Sequence, residues 1–164
     1  MITAEIPGWG SLEIKNLVLD FNGTIATDGR LIEGVASLLD EIKEKNVDIY
    51  VITADTNGTV RKECEGLPVE VMTYDSGTVA VNKMELVAKL GALHTACIGN
   101  GRNDSKMFGA SALSIVVIGQ EGAFTKAAMQ ADILTVDILS ALSLLTKPNR
   151  LKATLRGQVL TFLR

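Results

Sequence analysis

Four short stretches of this chain hold residues able to do chemistry on a phosphate. In residues 17–24 the apolar run Leu17, Val18 and Leu19 leads straight into Asp20, after which Gly23 permits a tight turn and Thr24 adds a hydroxyl. A buried strand ending in such a loop is suited to holding a phosphate. The Asp20 carboxylate can attack phosphorus in line while a divalent cation screens the repulsion between two anions, so an aspartyl-phosphate is a reasonable intermediate. On this segment alone, a carboxylate that merely closes a strand explains Asp20 equally well. The second stretch is a β-branched run, 47–52, that stops at Thr53, Ala54 and Asp55. The third is Lys83, and the fourth is the loop 99–104, dense in glycine and carrying Asn100, Asn103 and Asp104.

The elements that must position these groups follow from periodicity and breakers. Residues 2–6 and 12–14 flank a Pro7-Gly8-Trp9-Gly10 cluster and predict an N-terminal hairpin over 1–15. Asp28-Gly29 predicts a small hairpin flap over 26–32, beyond the Asp20 strand. Val35, Leu38, Leu39 and Ile42 recur at helical spacing. A short helix over 59–65 and a strand over 69–72 come next. Met84, Val87, Ala88 and Leu90 predict a helix with Lys83 in its first turn, where the helix dipole disfavours a cation. Strands over 95–98, 113–118 and 133–136 alternate with helical segments around Met107 and Phe108, over 123–131 and over 137–145. A last helix starts at Pro148, with Leu151, Leu155, Val159 and Phe162 on one face. Alternating strands and helices predict an α/β fold: a three-layer, Rossmann-like parallel sheet with helices on both faces and ligand groups beyond the carboxyl ends of its strands. Asp20, Thr53 and the loop 99–104 all fall at such ends. They bring a nucleophile, a hydroxyl donor, and amide with carboxylate groups to one edge.

A chain of 164 residues accommodates one domain, 1–164, with the hairpin 1–15 and the helix 147–164 as appendages. The net charge of −3, with no basic stripe, argues against a nucleic-acid partner. No run approaches the roughly 18 to 20 apolar residues of a membrane span, so the expectation is a cytoplasmic protein with no membrane partner. Cys64 and Cys97 are far from metal-ligand spacing, and the single His94 has no catalytic companion. Zinc, thiol and histidine chemistries are therefore poor fits.

In order and over nearly the whole chain, the four stretches resemble the motifs of the haloacid dehalogenase superfamily, and within it proteins like the phosphorylation domain of P-type ATPases. Asp20-Phe21-Asn22-Gly23-Thr24 is similar to the first motif, Thr53 to the second, Lys83 to the third, and 99–104 to the fourth. The resemblance implies a Mg²⁺-dependent phosphatase in which Asp20 is the nucleophile and Asn22 and Lys83 complete the catalytic set. Thr53, Ala54, Lys83 and Asn103 would bind phosphate, and Asp20, Asn22 through its carbonyl, Asn100 and Asp104 would bind the metal. Fixed donors of this kind stabilise charge spread over the equatorial oxygens of a transferring phosphoryl group. Lys89, deeper in the helix, is the weaker alternative to Lys83.

Two departures from the family pattern matter. Asn22 stands where phosphatases usually carry an acid/base Asp, and an amide cannot exchange that proton. Asn100 stands where a metal-binding Asp is usual, and hard cations prefer anionic oxygen. A slow enzyme is therefore expected, with a slow phosphotransfer or ATP-hydrolysing module and a non-enzymatic phosphate and Mg²⁺-binding module as alternatives. A receiver domain is disfavoured, because its phosphorylated Asp lies on a later strand. Neither inter-motif gap holds a separate cap domain. The open site expected would take a small phosphorylated substrate or a phosphoprotein, and a neighbouring subunit of a homo-oligomer is a further source of cover.

Overall fold

Alternating side-chain directions along short apolar strands build this molecule around two cores, one on each face of a sheet. The structure, a computed structural model, describes residues 1–54 and 58–158. The chain begins with β1 (Ile2–Ile6) and β2 (Gly10–Ile14), an antiparallel pair, and then enters β3 (Asn16–Leu19). A ribbon of β4 (Ala26–Thr27) and β5 (Arg30–Leu31) follows, then α1 (Val35–Glu44), β6 (Asp48–Thr53), α2 (Thr59–Glu63) and β7 (Glu70–Thr73). After α3 (Val79–Leu90) come β8 (Thr95–Gly99), α4 (Ser105–Ala110), β9 (Leu113–Val117) and α5 (Thr125–Gln130). The described chain closes with β10 (Ile133–Thr135), α6 (Ile138–Thr146) and α7 (Pro148–Leu155).

Six strands form one parallel sheet in the order β10-β9-β8-β3-β6-β7. The chain builds outward from β3 through β6 to β7, then crosses back to β8 on the other side and continues to β10. That reversal opens a crevice at the carboxyl ends of β3 and β8, where open parallel sheets bind ligands. Period-two alternation divides the sheet between two cores. Leu17, Leu19, Val51 and Ile98 pack with residues of α1, α6 and the hairpin, whereas Val18, Ile52, Cys97 and Val116 pack with residues of α3, α4 and α5. The expected three layers are present, and no cap domain interrupts the described residues.

Two local expectations need correction. Helix α3 begins five residues before Met84, at Val79, so Lys83 lies in its second turn. The cause is the buried stripe, which is Val79, Lys83, Leu86 and Val87, whereas Met84 is 37% exposed. The hairpin and α7 contribute Ile2, Ile6, Leu12, Ile14 and Leu151 to the main core. The last helix ends at Leu155, and Asp55, Val159 and Phe162 lie outside the described residues. Among the described residues no helix is long and apolar enough to cross a membrane.

Candidate active site

Asp20 follows the last residue of β3, and its backbone N–H still donates to Ile98 O of β8 at 3.0 Å. The carboxylate is thereby held at the crevice where strand order reverses. Beside it, Thr53 ends β6 and Gly99 ends β8. The turn after Asp20 requires Gly23, whose φ is +76° and whose added Cβ would lie 2.2 Å from Asn100 Nδ2. Strand β8 also needs its glycine, since a Cβ on Gly99 would lie 2.4 Å from the Asp104 carboxyl carbon.

Lys83 reaches this edge from the helical layer. Helix α3 is moored to the sheet at its far end, where Asn16 Nδ2 donates to Leu90 O at 3.1 Å and Thr95 Oγ1 donates to Gly91 O at 2.9 Å. Four residues into the helix, Lys83 is fully buried and its Nζ donates to Asp20 Oδ1 and Asp104 Oδ1, each at 2.6 Å. Asp104 Oδ2 accepts from the backbone N–H groups of Asn100, at 3.0 Å, and Gly101, at 2.8 Å. Residues 63 and 21 positions from Lys83 thus share one ammonium. Lys89 is exposed, which settles which lysine faces the crevice.

Burial is the largest influence on Asp20 and pushes its carboxyl up to about 7; the charge of Asp104 adds to the rise and Lys83 opposes it. For Lys83 burial acts to lower the ammonium, but the two carboxylates outweigh it and hold the group above its usual range. Two carboxylates around one ammonium leave a buried site with an anionic surplus when all three are ionised, which an added cation would relieve.

The remaining residues expected at the site divide into two groups. Thr53, Ala54, Asn22 and Asn103 line the same open cleft as Asp20, a space of about 1520 Å³. Asn100 lies behind it. Its Oδ1 is 3.3 Å from Thr24 Oγ1, which is also 3.3 Å from Asp20 Oδ2, and its Nδ2 donates to Gly122 O at 3.0 Å. Asp104 has Oδ1 on Lys83 and Oδ2 on two backbone N–H groups, so in this structure its carboxylate orients the lysine and the loop. Among the described residues no three His, Cys, Asp or Glu side chains cluster as metal ligands. The other two residues expected at the metal, Asn22 in the cleft and Asn100 behind it, offer only neutral oxygens. One carboxylate, neutral oxygens, water and a substrate phosphate suit Mg²⁺, which keeps several waters and needs few protein ligands.

Sequence reasoning missed the far wall of the cleft, which includes Ser76, Gly77, Arg102, Lys106, Phe124 and Lys126. Arg102 lies within the fourth stretch, 99–104, where the resemblance gives it no role, and no local motif marks the others. The one available signal is that residues 120–126 follow a strand of the same parallel sheet and so belong to the same edge.

Comparison with solved structures finds the same fold in several other proteins. It is similar to 3-deoxy-D-manno-octulosonate 8-phosphate phosphatase from Moraxella catarrhalis, solved with magnesium ion, phosphate ion and KDO, with a TM-score of 0.68 and 18% identity over 85% of this chain and 90% of that one. The cobalt-bound 8-phosphate phosphatase from Haemophilus influenzae gives 0.67 at 15% identity, covering 83% and 90% of the two chains. A phosphoserine phosphatase in apo form gives 0.65 at 15% identity, covering 80% and 98%. By sequence, two uncharacterised proteins of Methanocaldococcus jannaschii are each 51% identical, over 59 residues (36% of this chain, 63% of that protein) and over 41 residues (25% and 91%). The chain therefore spans less than two thirds of the length of the first of them. No protein-family model matches the sequence.

Proposed function

Proceeding from the haloacid dehalogenase fold that this chain carries, we propose that it is a Mg²⁺-dependent phosphohydrolase acting through an aspartyl-phosphate on Asp20. The observation that carries the reading is the buried ion triad of Asp20, Lys83 and Asp104 at the carboxyl ends of adjacent strands. A purely structural triad has no need of an open cleft against its carboxylate, and Asp20 lines one.

Asp20 Oδ2, the oxygen not engaged by Lys83, attacks phosphorus; the Asp20–O–P bond forms as the P–O bond to the leaving group breaks. Lys83 favours the ionised nucleophile and stabilises charge on the transferring phosphoryl group, whose oxygens Thr53, Ala54 and Asn103 hold. The leaving oxygen takes its proton from water, because Asn22 has none to give. Water then attacks phosphorus, releasing inorganic phosphate and restoring Asp20. When bound, Mg²⁺ would be held by Asp20, the Asn22 carbonyl and Asn100, and it would supply screening of the anionic reactants. Asp104 would serve it through water.

Asn22 also favours a second reading, in which the phosphoenzyme outlives its formation and the chain acts as a slow phosphotransfer module. Loss of general acid/base catalysis costs about 10²- to 10⁴-fold in the step it serves. The proposed partner is a small phosphorylated substrate or a phosphoprotein, and the proposed setting is the cytoplasm, with which two free, buried cysteines accord. Phosphate release from a generic aryl phosphate, measured against Mg²⁺ concentration with Asp20→Asn alongside, tests the proposal. Metal-dependent release in the parent and none in the variant is expected. Undiminished release in the variant removes Asp20 from the reaction.

A further inference from the structure

The cleft beside Asp20 has a charge pattern that hydrolysis of a simple phosphate ester does not require. Arg102, Lys106 and Lys126 line it, and among the described residues the only carboxylate lining it is that of Asp20, already paired with Lys83. Among the described residues none of the three cations has an ion-pair or side-chain hydrogen-bond partner. The chain as a whole is acidic, with 19 Asp and Glu against 16 Lys and Arg, so an unscreened group of three cations runs against the average surface. They come from three segments: Arg102 from the turn after β8, Lys106 from α4 and Lys126 from α5.

This wall is fastened to the reactive loop. Phe124 N donates to Asn100 O at 2.8 Å, and Asn100 Nδ2 donates to Gly122 O at 3.0 Å. Residues 122–126 therefore keep their place relative to Asp20. Phe124 itself is 37% exposed and lines the cleft, giving a carbon skeleton an apolar surface among the cations.

Resting on the phosphohydrolase reading, we propose that the substrate is a phosphomonoester whose leaving group carries a second anionic group, bound by Arg102, Lys106 and Lys126 while the first phosphate sits at Asp20. A carboxylate and a second phosphate share the chemistry required. Exposed ion pairs are individually weak and salt-sensitive, so the effect is the sum of three and falls with ionic strength.

The test uses pairs of esters matched except for that group: 3-phosphoglycerate against glycerol 3-phosphate, and fructose 1,6-bisphosphate against fructose 6-phosphate. Binding to the 164-residue Asp20→Asn protein with Mg²⁺ is measured by calorimetry, and kcat/KM of the parent is measured in parallel with p-nitrophenyl phosphate included. At least one doubly anionic ligand is expected to bind about five- to tenfold more tightly than its partner. That preference should shrink to within about twofold in Lys106→Gln/Lys126→Gln, or at about 0.5 M salt. A preference confined to 3-phosphoglycerate identifies the second anion as a carboxylate; one confined to the bisphosphate identifies a phosphate. Equal affinities within both pairs, or a preference untouched by the double substitution, overturn the inference. Discrimination in binding without turnover of any ester overturns the hydrolase reading and leaves the anion site standing.

Discussion

Replacing Lys83 by methionine removes an ammonium that touches two buried carboxylates at 2.6 Å. Methionine fills most of the space, so the perturbation is chiefly electrostatic. Breaking a buried pair by removing one partner typically costs about 3–5 kcal/mol, because it strands an uncompensated charge. Asp20 has an escape, since its carboxyl is already pushed up to about 7 by burial and by Asp104. Its folded-state value lies above the 3.8 of the unfolded chain, so ionisation of Asp20 opposes folding. That penalty is absent below pH 3.8, grows between 3.8 and about 7, and is complete above it. Without Lys83 the carboxyl titrates higher still, and the penalty continues to grow through the alkaline range. The stability gap between parent and variant should therefore be smaller near pH 5 than near pH 9, where it should approach about 3–5 kcal/mol. Urea unfolding of the metal-free proteins at several pH values measures it. A gap that does not vary with pH, or one under about 1 kcal/mol at pH 9, would refute the argument that the ammonium holds two ionised carboxylates together.

The same site yields four further expectations. Asp20→Asn removes the group whose ionisation opposes folding, so the metal-free variant should be more stable than the parent at pH 8, by a few kcal/mol at most, and nearly equal to it at pH 4, as read by urea midpoints. Asn22→Asp supplies the missing acid/base and should speed turnover by about 10²-fold or more while lowering the phosphorylated fraction seen by intact mass; unchanged turnover with phosphoenzyme still forming removes Asn22 from that role. Asn100→Asp adds charge beside Asp20 and loses the bond to Gly122 O, so Mg²⁺ should bind about tenfold more tightly while the 122–126 wall loosens; calorimetry that finds unaltered Mg²⁺ affinity excludes Asn100 as a ligand. Gly99→Ala drives a methyl to 2.4 Å from the Asp104 carboxyl carbon, and should cost about 1–3 kcal/mol of stability along with activity.

Sequence alone is enough for whatever depends on near neighbours along the chain. Apolar runs of strand length, helical stripes and glycine breakers specify each segment from within a few residues, and motif residues at strand ends predicted that Asp20, Thr53 and 99–104 share one edge. It misjudged α3 because Lys83 sits on the helix's apolar stripe, where a charge reads as a surface residue; only the two carboxylates waiting there make that position tolerable. Strand order decided the rest. With β3 between β6 and β8, residues far apart in sequence meet at hydrogen-bonding distance, and the same topology brings Arg102 and Lys106 of the β8–β9 connection and Lys126 of the β9–β10 connection onto one cleft. Those contacts are non-local, so no window of sequence contains both partners, and their geometry exists only once the sheet has fixed which strand ends lie side by side.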